Sequence, residues 1–153
     1  MRLSETGEEA ERFLRVPGKF QSTFLTPPTE LPRFVATILS PFRLDHANIT
    51  IKQAVFEPQH LLRLLASHSI AAENCENLMV TAFGHNEIVA LLEAAFGDWV
   101  DFLFTPAPRR FAIYADHDEY TTFLADSQSD LKLITAALEH GGFAGVPEYK
   151  REF

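Results

Sequence analysis

The chain has 153 residues, 46% hydrophobic and 22% charged; this is globular composition at a length where one domain hides roughly 70% of the unfolded surface, and it excludes a disordered chain. A net charge of −8, from 13 Lys plus Arg against 21 Asp plus Glu, with aromatics that are mostly Phe (14, against 3 Tyr and 1 Trp), excludes a basic, base-stacking nucleic-acid surface. The one cysteine excludes an internal disulfide, and no secretory h-region or membrane-length apolar run is present, so a cytoplasmic protein without a membrane partner is expected.

Residues 1–47 read as a helical, Pro-rich segment wrapped around the rest. Thr6-Gly-Glu-Glu9 has the spacing of a capping box, in which the Thr hydroxyl and Glu carboxylate each satisfy a free backbone N–H. A short helix should follow, with Ala10, Phe13 and Leu14 on one face and Pro17-Gly18 at its end. Leu31, Phe34, Val35, Ile38 and Leu39 recur at helical spacing, and Pro32 is compatible only because it falls in the first turn.

Residues 48–142 form the expected sheet-and-helix core. Asn48 to Phe56 alternates with β-branched residues and predicts a strand. Pro58 then opens a helix with Leu61, Leu62, Leu64 and Leu65 inward. Leu78 to Phe83 is a short apolar run of buried-strand type, followed after Gly84-His-Asn86 by a helix from Glu87 to Phe96. Trp99 to Thr105 predicts a third strand and Arg110 to Ala115 a fourth, joined by the Pro-containing turn between them as a hairpin. From Tyr120 to Leu138 apolar residues keep helical spacing, as one long helix or two broken near Ser127 to Ser129, and Gly141-Gly142 ends it. Residues 143–153 are a tail with no assigned structure.

The expected fold is therefore α/β or α+β, a single domain with a mixed sheet of about four strands. Treating the two helices as crossovers makes the first three strands parallel and leaves only the hairpin strand antiparallel. His60 and His85 would then share the carboxyl edge of the sheet with Arg109 and Arg110, while His117 would stand across it.

That edge supplies the candidate ligand-binding residues, His60, His85, Glu87, Arg109 and Arg110. Imidazoles at helix N-termini beside two guanidinium groups suit a small anion. Competing with this, the histidines are solvated surface groups and Glu57 and Asn86 cap helices. Asp116-His117-Asp-Glu119 is dense in oxygen donors but lacks calcium-loop spacing, and Asp118 is expected to cap the helix after it. Two acids near Cys75 would raise its pKa and oppose thiolate formation. No nucleophile motif names a catalytic residue, and no metal or cofactor is implied. Trp99 reads as a residue packed on the sheet. The leading expectation is a non-catalytic interaction or regulatory module that meets a basic partner protein or a copy of itself. The alternative is a small-anion binding protein or small enzyme using the His60, His85, Arg109, Arg110 edge.

Overall fold

Strands two residues in period and rich in Ile, Val, Phe and Thr must pair to satisfy their backbone, and here they pair into one sheet. The computed structural model describes residues 1–5 and 19–152. Among them the strands are β1 (Arg2–Glu5), β2 (Phe20–Leu25), β3 (His46–Gln53), β4 (Leu78–Phe83), β5 (Asp101–Ala107), β6 (Ala112–Ala115) and β7 (Tyr120–Ala125). The helices are α1 (Leu31–Leu39), α2 (Gln59–Ser67), α3 (Gly84–Gly97) and α4 (Gln128–His140). The order across the sheet is β1-β4-β3-β5-β6-β7-β2, and every pairing is antiparallel.

The mixed, four-stranded sheet with three parallel strands is thus overturned by an antiparallel α+β fold with seven strands among the described residues. The error has one source. After β3, α2 runs down the sheet and residues 68–77 bring the chain back up, so that the Asn77 N–H donates to the Ile51 carbonyl at 2.9 Å. The helix is therefore no crossover, and β4 descends beside β3 with Thr50 opposite Met79 and His46 opposite Phe83. Of the two helices treated as crossovers, α3 does cross, carrying the chain over β3 so that β4 and β5 run the same way on either side of it. The β5–β6 hairpin is present, with a cis Ala107–Pro108 peptide in its turn.

Two other expectations change. β1 and β2 lie within the segment read as wrapping, at opposite edges of the sheet. Tyr120 to Ala125 is strand rather than helix, because β6 and β2 both pair with it and Thr121 and Thr122 suit a pleated surface. The break near Ser127 is real: its hydroxyl caps α4 by accepting from the Asp130 N–H. The helix expected after Thr6 lies outside the described residues.

Alternation decides which side is core. Ala47, Ile49 and Ile51 of β3, Phe102 and Phe104 of β5, and Phe123 of β7 join the helices in one buried cluster, with α2 against α3, α3 against α1 and α1 against α4. Phe34 is its hub: its ring lies 5.5 Å from Phe96, 6.5 Å from Phe123 and 5.2 Å from Phe143. Leu103, Ala112 and Leu124 form a second, small cluster on the opposite face with Tyr114 packed against it.

Replacing Phe34, fully buried at this hub, by Ala should cost about 3–5 kcal/mol in urea unfolding. The same truncation at exposed Leu133 should stay within about 0.5 kcal/mol.

Candidate functional site

The antiparallel register fixes two edges. At the upper edge β3 ends and β5 begins, with Gln53 opposite Asp101; at the lower edge His46 stands opposite both Phe83 and Ala107. The upper edge gathers residues 54–58, 73–77, 98–101 and 116–119.

Two carboxylates three residues apart tie these loops together. Asp98, at the C-cap of α3, accepts from the His60 and Leu61 N–H groups at 3.1 and 2.7 Å, and its Oδ1 lies 2.6 Å from His60 Nδ1. It caps α2 from outside that helix, satisfying N–H groups that the first turn leaves free. Asp101 repeats the pattern, its Oδ1 taking the His117 N–H at 2.9 Å and lying 2.8 Å from His117 Nδ1. An ionised carboxylate only accepts, so in both pairs the proton belongs on Nδ1. Between them Trp99 holds a left-handed φ of +54°, a conformation that costs a bulky side chain roughly 1 kcal/mol.

The chain of contacts continues onto the helix-free face. Asp116 holds its own turn by accepting from the Asp118 and Tyr120 N–H groups, and its Oδ2 lies 2.8 Å from Arg151 Nη1. The Arg151 side chain is only 10% exposed. Its Nε donates to the Thr122 hydroxyl at 3.2 Å, and its guanidinium covers the Tyr114 ring at 4.5 Å. Tyr149 stacks on Tyr120 at 4.4 Å, and Gln21 exchanges two hydrogen bonds with the Arg151 backbone. The tail is thus a strap, running beside β2 through the Phe24–Gly145 bridge and then under the sheet.

Electrostatics follows from this packing. The hydrogen bond to Asp101 raises the His117 pKa, with the charges of Asp101, Asp118 and Asp116 adding to it. Burial, then the Asp101 charge, pushes the Tyr114 hydroxyl up. Cys75 is buried and its thiol is pushed up to about 11, by desolvation first and the Asp98 charge second; the cause differs from the neighbouring acids expected, but the thiolate is opposed either way.

The proposed ligand residues do not form one edge. His60 stands at the upper edge, and His85, Glu87, Arg109 and Arg110 follow the strand ends at the lower one. His117 shares the edge of His60, reversing the expected placement. Glu87 accepts from the Phe83 N–H at 2.8 Å and from the amino terminus; the Phe83 bond, then the amine, lowers its pKa. Arg110 is paired with Asp130 and lies over Phe42. His85 and Glu57 are exposed. Asp118 caps no helix: it is exposed in a turn that Asp116 secures. Among the described residues no group of three His, Cys, Asp or Glu side chains is arranged to hold a metal ion.

Asp98, Asp101 and Arg151 escaped the sequence reading. Asp98 after Gly97 and Asp101 at a strand start carry a spacing signal, but their partners lie 16 to 38 residues away. Nothing local marks Arg151.

Asp98→Ala leaves two amides of α2 without their acceptor and should lower stability by about 1–3 kcal/mol, measured by urea unfolding. Asp101→Asn should bring the His117 titration, followed by imidazole NMR, down toward the ordinary histidine range. Because the folded-state pKa is raised, His117 stabilises the fold fully below its unfolded pKa near 6.5 and loses that increment as pH rises through the folded value. The difference in stability between the wild type and Asp101→Asn should therefore shrink across that interval.

Comparison of the chain with family models, curated proteins and solved structures found no match.

Proposed function

We propose that the chain is a non-catalytic interaction module that meets a basic partner protein. The observation that carries this reading is the pair Val55-Phe56, 47% and 59% exposed in the turn between β3 and α2. Burying a Phe or Val side chain contributes roughly 1.5–3 kcal/mol, and an exposed adjacent pair leaves much of that stabilisation unused by the fold. The net charge of −8 supplies the complementary argument, favouring association with a basic surface.

A copy of the same chain is the weaker partner, since like-charged edges would be brought together. The small-anion alternative has less support, because His60 stands at the opposite edge from His85 and Arg109.

Selection of displayed random peptides on the purified chain should converge on sequences that combine Lys or Arg with an aromatic or large aliphatic residue. Convergence on acidic sequences, or enrichment with no common pattern, would reject the reading.

A further inference from the structure

Resting on that reading, we infer that the upper edge of the sheet is the docking surface, and that its occupant is a protein segment with Lys or Arg side chains flanking one bulky apolar residue. Val55 and Phe56 leave the end of β3, whose Gln53 is paired with Asp101, so the exposed apolar pair stands beside the doubly clamped segment 98–101. Glu57 and Glu73 are exposed in the loops next to it, and Glu76 accepts the Ala54 N–H at 3.2 Å, which attaches the acidic loop 73–77 to the base of the Val55-Phe56 turn. Asp118 and Glu119, both exposed, extend the negative rim past the His117 clamp. An apolar centre inside a charged border is the usual anatomy of a protein interface, with the centre supplying affinity and the border supplying orientation.

The clamps set what kind of binding this is. His60 and His117 tie the two flanking loops to Asp98 and Asp101 through backbone and ring together, so the rim is held before a partner arrives and little ordering cost falls on binding. Nucleic acid is a poor occupant because its phosphates would meet the same carboxylates.

The test uses three labelled synthetic peptides: one of Lys, Gly and Phe, one with Phe replaced by Gly, and one with Lys replaced by Glu. Anisotropy titration should show the Lys-Phe peptide binding at least about tenfold tighter than the control lacking Phe, the change expected from burying one Phe, and tighter than the Glu control through the loss of charge complementarity. In Val55→Ser/Phe56→Ser, whose folding is checked by amide NMR spectra, the advantage of Phe over Gly should collapse to about one. In Glu57→Lys/Glu73→Lys the advantage of Lys over Glu should shrink while that of Phe persists. Amide shifts caused by the peptide should cluster at 54–60, 73–77 and 98–101. A Phe advantage that survives the double Ser variant, shifts clustered on another face, or no binding by the folded protein would each overturn the rim as docking surface. Failure of this kind with a convergent peptide selection rejects the location alone, whereas failure of the selection rejects the module reading itself.

Discussion

The four residues from Asp98 to Asp101 are the constraint on which the upper half of the molecule depends. α3 ends and β5 begins within them, so the segment belongs to the helical layer at one end and to the sheet at the other. Each carboxylate reaches sideways and takes the backbone N–H and the ring of the same histidine, Asp98 accepting from the Leu61 N–H as well. The start of α2 and the β6–β7 turn are thereby referred to a common point. A left-handed Trp99 between the two acids is what turns the chain sharply enough for them to serve opposite neighbours.

How far the sequence could be read follows from the range of the forces involved. Short-range patterns were legible. Leu78 to Phe83, the stripe from Leu31 to Leu39 and the β5–β6 hairpin all appear where periodicity and turn chemistry place them. What failed was strand direction. A helix between two strands reads as a crossover only if it delivers the chain to the far edge, and residues 68–77 undo that delivery. With direction wrong by one strand, His60 and His85 part to opposite edges, so the candidate ligand residues are grouped by a topology the chain does not adopt. Tyr120 to Ala125 failed for another reason: apolar residues at 120, 123 and 124 fit either period, and two neighbouring strands decided the matter.

The site was legible in residue types and illegible in partnerships. Histidines beside acids were visible, but the acids that matter are not the adjacent ones. His60 uses Asp98 instead of Glu57, and His117 uses Asp101 at shorter distance than Asp118. Arg151 shows the same principle from the other side: a guanidinium near the end of the sequence is buried by stacking on Tyr114 and pairing with Asp116, contacts no local pattern announces. Buried ionic contacts of this sort stabilise little net of desolvation but specify one arrangement strongly when both members are present.

The strand order has a kinetic side. The two strands earliest in the chain, β1 and β2, occupy opposite rims of the sheet, and each waits for a partner made much later, β4 at residues 78–83 and β7 at 120–125. A chain emerging from the ribosome carries both with unpaired backbone until those partners appear, and β2 waits while nearly a hundred residues are added. Such long-range closures are slow, and waiting strands are open to pairing with other chains. The two rims therefore close at different times: β1 can join β4 and β3 before β5 is made, whereas β2 must wait for β7, and the Ala144–Arg151 strap can settle along β2 only after β7 has set that rim in place.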